Sequence, residues 1–361
     1  MIDFELKATD ENARAGTLTV DDKECLTPVF MPVGTRASVK TLLSEDLYDL
    51  GVQAIITNFY HLMMKPGIDI IEEGGGLHEF MNYDGLIFTD SGGFQMIRKG
   101  FDQKMEGDTV TFKSEYDGSI YKITPEECIS LQKRLDSDVQ MCLDYCPSYP
   151  ADRDELEFSV KKTKRWAEMC KEEEGNIFGI SQGGTDKEFR KRSCQDMVDI
   201  GFEGLAIGGL SIGEPKEKMY DMLEIANRTY PAEKPRYLMG LGSPVDILEA
   251  IERGCDIFDS AYPTRNARHR SVFTVHGTIN IENSQYKKDK KPLDEECGCP
   301  ICENYTRSYI NHLCRADELS WMRMTSIHNL HFLTDLMEKA RYAISSGTFK
   351  DFKCDFVSRY E

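Results

Sequence analysis

The chain has 361 residues, 40% of them hydrophobic and 29% charged, a balance that fills a substantial core and excludes disorder as its main organisation. No window approaches the ~18 apolar residues of a membrane span, and the opening Met1-Ile2-Asp3-Phe4-Glu5 lacks the basic-then-apolar order of a secretory signal, so a soluble, cytoplasmic protein is expected. Lys and Arg number 44 against 62 Asp and Glu, giving a formal charge of −18, which excludes wholesale coating of nucleic acid and obliges any polyanion to meet a local patch.

Short apolar or β-branched runs recur along the chain at Val29 to Val33, Gln53 to Thr57, Leu86 to Thr89, Val139 to Leu143, Ile177 to Ser181, Leu205 to Gly208, Tyr237 to Gly240 and Cys255 to Phe258. Helical patterns separate them. Thr124-Pro125-Glu126-Glu127 and Thr185-Asp186-Lys187-Glu188 have the form of capping boxes, and Ser243-Pro244-Val245-Asp246 resembles one. Cys128, Leu131 and Leu135 then share one helical face, as do Ile247, Leu248 and Ile251 before Gly254. Eight near-continuous apolar strands, each followed by an amphipathic helix, predict an α/β fold of the closed (β/α)8 type. An open dinucleotide-binding sheet is disfavoured because no GxGxxG follows the first strand.

Two segments interrupt the alternation. Val110 to Tyr116 and Ile120 to Ile123 flank Asp117-Gly118 and predict a β-hairpin inserted over about 108–124. Beyond the eighth strand, Tyr262 to about Ser326 is too long for a loop and predicts a small metal-clamped subdomain, about 276–335, before a final helix near Ser326 to Ile344. The whole chain, 1–361, reads as one barrel domain.

Catalytic groups of barrels sit at the C-terminal ends of strands. Those ends carry Asn58, Asp90-Ser91-Gly92-Gly93, Asp144, Gln182-Gly183-Gly184, Gly208-Gly209, Gly240 and Asp259. A single Asp after a strand is more often a cap or turn former. Three aimed at one cavity, with an amide and glycine pairs that let a flat ligand approach, suit the reading of a heterocycle such as a nucleobase. Between Tyr262 and Lys291 lies a basic island of Arg265, Arg268, Arg270, Lys287, Lys288, Lys290 and Lys291 against Glu282 and Asp289, a local +5 that is either a solvated loop or a polyanion contact.

Of twelve cysteines, nine are scattered singly, which fits a reducing compartment. The other three, Cys297, Cys299 and Cys302, fall within six residues, and His328 or His331 on the following helix can complete a tetrahedral zinc site. Such a site is saturated and therefore structural. His312 and Cys314 suit it less.

These motifs together resemble the bacterial tRNA-guanine transglycosylases: Thr57-Asn58-Phe59-Tyr60-His61-Leu62, Thr89-Asp90-Ser91-Gly92-Gly93-Phe94-Gln95, Gln182-Gly183-Gly184, Gly208-Gly209-Leu210, Tyr237-Leu238-Met239-Gly240, Phe258-Asp259 with Pro263-Thr264-Arg265, and the Cys297/Cys299/Cys302/His328 quartet. The resemblance runs nearly end to end. It implies exchange of guanine 34 in the anticodon of certain tRNAs for a 7-substituted 7-deazaguanine, with Asp259 as nucleophile and Asp90 as acid and base. It further implies that Asp90, Ser91, Asp144, Gln182, Gly209, Leu210 and Gly240 hold the base, that Phe94 and Met239 stack on it, and that Asn58 orients Asp259. Arg265 and Arg268 would contact the tRNA, one structural zinc would bind at the quartet, and the protein would be a homodimer.

Some positions depart from the bacterial pattern: Phe94 where Tyr is common, Tyr145 after Asp144, Ser260 beside Asp259, and Ile212 after Leu210-Ser211. They neighbour the implied base pocket and bear on whether the incoming base is preQ1 (7-aminomethyl-7-deazaguanine), taken first, or queuine. A non-catalytic tRNA-binding partner subunit of the same family is the alternative, but it need not keep both acids, and Asp90 and Asp259 are both present. A metal-dependent barrel hydrolase would need histidines at strand ends, where only His61 stands near one.

Overall fold

The structure, a computed structural model, describes residues 1–97 and 104–360. It opens with three antiparallel strands beyond the eight expected from the sequence: β1 (Ile2–Asp10), β2 (Ala13–Val20) and β3 (Lys23–Thr27). β2 is buried along nearly its whole length, Arg14 and Thr17 included, so the polar and apolar alternation that betrays a half-buried strand is missing from it. Arg14 Nε reaches Asp256 Oδ1 at 3.1 Å, and Asp256 Oδ2 accepts the Arg236 N–H. Those residues stand where two barrel strands begin, so this small sheet covers the N-terminal end of the barrel.

The remaining strands are β4 (Val29–Pro32), β5 (Ala54–Asn58) and β6 (Leu86–Asp90), then β7 (Lys104–Glu106), β8 (Thr109–Lys113) and β9 (Ile120–Ile123), then β10 (Val139–Met141), β11 (Ile177–Ser181), β12 (Gly204–Ile207), β13 (Arg236–Leu238) and β14 (Ile257–Ser260), and last β15 (Ser271–Thr274) and β16 (Gly277–Asn280). Eight of them form one parallel sheet in the order β4-β14-β13-β12-β11-β10-β6-β5. A bridge between Val33 and Ile56, with Gly34 N–H on the Ile56 carbonyl at 2.8 Å, brings β4 back to β5 and closes the barrel. The strands are buried almost throughout, as expected for parallel strands covered on both faces. β7, β8 and β9 make a separate antiparallel sheet between β6 and β10.

Local signals mostly hold, with differences at the caps. Thr124 and Glu127 form the reciprocal box at the start of helix Pro125–Arg134. Asp186, not Thr185, caps helix Lys187–Ile200, because the Asp186 carboxylate reaches two N–H groups of the first turn. Ser243 precedes helix Pro244–Glu252 without a side-chain cap bond. The final stretch expected at Ser326 to Ile344 is a longer helix, Ser320–Ser345, followed by a further helix, Phe349–Tyr360. The long helix packs against β1, β2, β4 and β15, and so fills the eighth helical place only after the intervening subdomain.

Candidate active site

Asp90 ends β6, Asp259 lies within β14 rather than after it, and Asp144 stands three residues beyond β10, so all three carboxylates reach the C-terminal mouth. Asp259 Oδ1 accepts the Tyr237 hydroxyl at 2.6 Å and the Gly240 N–H at 2.8 Å. Gly240 adopts φ +79°, a turn available to glycine at little cost, and this aims its N–H at the carboxylate. Asn58 donates to Asp90 Oδ2 at 2.9 Å, while its Oδ1 caps the short helix Phe59–Met64 through His61 N–H. Asn58 therefore orients Asp90, not Asp259 as the resemblance implied; β5 and β6 are neighbours, with Asn58 directly opposite Asp90. Gln182 Nε2 donates to Asp144 Oδ2 at 2.5 Å.

The three acids differ in environment. Burial, then the nearby Asp144 and Asp259 carboxylates, push Asp90 up to about 7 against the pull of the Gly92 and Ser91 N–H groups. Burial pushes Asp144 up to about 6, opposed by the Gln182 amide. Asp259 is also raised by burial, but the Tyr237 hydroxyl and Gly240 N–H favour its ionised form. A carboxyl raised to near neutrality thus lies in the same mouth as a carboxylate held by two donors, an arrangement that can divide proton transfer from nucleophilic attack.

The acids open on a cavity of about 380 Å³, whose wall also includes Asn58, Phe94, Leu210, Met239 and Gly240. Ser91, Gln182 and Gly209, also expected at the base, stand behind that wall. Ser91 is fully buried with its Oγ accepting Gly93 N–H, and a Cβ on Gly209 would fall 2.2 Å from Gln182 Oε1. Sequence reasoning missed Tyr237 as a partner of Asp259, although it lies one pleat before Met239 on an inward-facing strand. It also passed over Cys146, which lines the cavity together with His61 and with Ile212, one of the departures expected beside the base pocket. A larger cleft, about 450 Å³, includes Arg14, Glu224, Arg228, Glu252 and Arg253 in its wall. Arg228 pairs there with Glu224 and Arg253 with Glu252, whereas the three raised carboxylates gather at the smaller cavity.

Arg265 and Arg268 lie on helix Tyr262–Arg268, which leaves β14 just past Asp259; Arg265 is exposed and Arg268 half-buried. Arg36 and Lys40 join them from the loop after β4. Burial, then Arg268 and Arg36, lower the Lys40 ammonium, and burial followed by Arg36 lowers His61 at the cavity. The basic island does not act as one surface: Arg270 pairs with Glu282 and Lys291 with Glu295.

Away from the mouth, Cys297, Cys299, Cys302 and His328 place their ligand atoms within 4.8 Å of one another. His328 Nδ1 lies 3.6, 3.5 and 3.3 Å from the three sulfurs in that order, while Nε2 meets the Phe273 carbonyl at 2.7 Å. Zinc bonds of ~2.3 Å to sulfur and ~2.0 Å to nitrogen in a tetrahedron separate S and N by roughly 3.5 Å. The quartet fits a metal ion, with the imidazole oriented by the backbone. His331 approaches only Cys297, at 3.6 Å, which decides between the two histidines.

A barrel whose mouth gathers three carboxylates around one cavity, one raised to near neutrality and one held by two donors, with a cluster of three cysteines and a histidine away from it, has the constitution of a base-exchanging glycosyl transferase. The family model for queuine tRNA-ribosyltransferase matches residues 9–361. Among curated relatives, the queuine tRNA-ribosyltransferase of Moorella thermoacetica is 47% identical over 96% of this chain and 94% of its own length. That of Fusobacterium nucleatum is 46% identical over 100% and 98%, and that of Bacillus subtilis 44% over 99% and 95%. The chain belongs to the queuine tRNA-ribosyltransferase family, the tRNA-guanine transglycosylases.

Proposed function

We propose that the protein exchanges guanine 34 at the wobble position of tRNA for a 7-substituted 7-deazaguanine, preQ1 or queuine, by double displacement in queuosine modification. The observation that carries this is the single cavity holding Asp90 near neutrality and Asp259 under two donors. Asp259 attacks C1′ of the ribose as the bond to guanine breaks, giving a ribosyl ester. Asp90 protonates the departing base, then takes a proton from the incoming one as that base attacks C1′ and expels the carboxylate. Two inversions restore the original configuration.

Asp144, Leu210 and Gly240 read the edge of the base with Gln182, Ser91 and Gly209 supporting them from behind the wall, Phe94 and Met239 cover its faces, and Asn58 holds Asp90. Arg265 and Arg268 bind the anticodon loop, whose bases must be splayed out to enter the cavity. One structural zinc sits at the quartet, where it holds the subdomain together and takes no part in the chemistry. We take the whole chain as one barrel domain, with the hairpin at about 108–124 and the zinc subdomain at about 276–335. A cytoplasmic homodimer is the proposed working form; the exposed, stacked Tyr305 and Tyr309 rings offer an apolar surface for a second copy. Among the described residues no helix is long and apolar enough to cross a membrane.

The test charges tRNA with labelled guanine and chases it separately with preQ1 and with queuine. Loss of label with either base supports the reading, and the faster chase names the substrate. Retention of label with both, by protein that binds tRNA, contradicts it.

A further inference from the structure

The helix Lys187–Ile200 sends a fully buried arginine, Arg190, beneath the base cavity. Its Nη1 donates to the Ser181 carbonyl at 3.2 Å, and its Nη2 donates to the Gly184 carbonyl at 3.1 Å and the Gly208 carbonyl at 2.9 Å. These acceptors come from the ends of two adjacent strands, β11 and β12, and from the turn between Gln182 and Gly184. Ser193, one helical turn on, takes the Gln182 N–H at 2.8 Å. Gly183, at φ +119°, lies so close that a Cβ there would meet Arg190 N at 2.6 Å.

The Gln182 amide is enclosed by the same elements. A Cβ on Gly208 would lie 2.6 Å from its Nε2 and one on Gly209 2.2 Å from its Oε1, so the position of the Gly208-Gly209 backbone fixes where the amide can sit. That amide in turn holds Asp144. A chain of contacts therefore runs from the guanidinium through Gly208 and Gln182 to the carboxylate that faces the base. Arg190 itself touches neither the cavity nor Asp90 or Asp259.

We infer that Arg190 is a positioning residue for base recognition: its fork joins the Gln182-Gly184 turn to the Gly208 carbonyl and so sets the Gln182–Asp144 edge against which guanine is read. This rests on the base pocket proposed above. Lysine keeps the charge but cannot span three carbonyls in one plane. Hence Arg190→Lys in the full-length, metal-loaded protein should raise KM for free guanine about tenfold, the size of one or two lost hydrogen bonds. kcat at saturating base, KM for tRNA and zinc content should stay near wild type. Discrimination between guanine and hypoxanthine, which lacks the exocyclic amine, should narrow.

A guanine KM within about twofold of wild type overturns the inference, as does a parallel loss of guanine affinity, tRNA affinity and Tm, the mark of a purely structural role. If Arg190→Lys does not fold, Ser193→Ala decides from the other side of the same turn: a rise confined to guanine KM supports the inference, and no change overturns it. Asp144→Asn run in parallel separates the two levels. If it leaves guanine KM unchanged, the pocket reading fails and the inference falls with it; if it raises KM while Arg190→Lys does not, the inference alone fails.

Discussion

Asp90 is the residue at which the site's chemistry and the protein's stability conflict. Its carboxyl rises from an ordinary 3.8 to about 7, chiefly through burial and then through Asp144 and Asp259. Between those two pH values the folded state holds a proton that the unfolded state has released, so stability falls as pH climbs through the window and the penalty is complete above about 7. Asp90→Asn removes the titration while keeping the bond to Asn58 available. Its Tm should exceed wild type at pH 8 by roughly 2–4 °C, and the gain should shrink as pH falls towards 4. A gain independent of pH, measured by calorimetry, would contradict the assignment. Exchange should be lost at every pH, because asparagine supplies no proton.

At the scale of elements, what the sequence discloses depends on whether a feature is local. Strand ends are local, so Asp90, Asp144, Gln182 and Asp259 can be read as converging before any coordinates exist. Pairing across strands is not: that Asn58 faces Asp90 follows from the parallel register of β5 on β6, which periodicity leaves open. Tyr237 reads as one more apolar strand residue until β13 is set beside β14. β2 escaped because a strand buried on both faces, with a paired arginine inside it, shows no alternation, whereas Ile2-Asp3-Phe4-Glu5 of β1 does alternate and was legible. The long helix Ser320–Ser345 was legible from Ser326 onward, while its start, with the buried Trp321 and Met324, was read as part of the preceding subdomain.

The cysteine cluster was the clearest local signal, since three ligands lie within six residues and only the fourth needs the fold. Cys302→Ala should abolish metal binding, reduce stability by at least ~3 kcal/mol and weaken tRNA binding together with it. Elemental analysis should find one zinc per wild-type chain. A metal-free protein with unchanged Tm and activity would remove zinc from the account.

At the scale of the molecule, a chain of charge −18 must meet a polyanion through a small part of its surface. The sequence suggests a single basic island, but the fold divides it. Arg270 and Lys291 are neutralised by Glu282 and Glu295, whereas Arg268 joins Arg36 and Lys40 from the far end of the chain beside the cavity. Arg265→Ala and Arg268→Ala should each weaken tRNA binding and reduce its dependence on salt by about one unit of slope, with free-base affinity unchanged. Equal losses for tRNA and base at an unaltered slope would mean that the arginines support the fold and not the ligand.

The proposed exchange depends most on Asp259 as its nucleophile. The direct measurement is intact-mass analysis of protein denatured after incubation with tRNA in the absence of incoming base. Wild type should carry a tRNA adduct that disappears when preQ1 or guanine is added, and Asp259→Asn should bind tRNA yet form none. An adduct of equal yield with Asp259→Asn, or exchange by that variant at the wild-type rate, would contradict the mechanism.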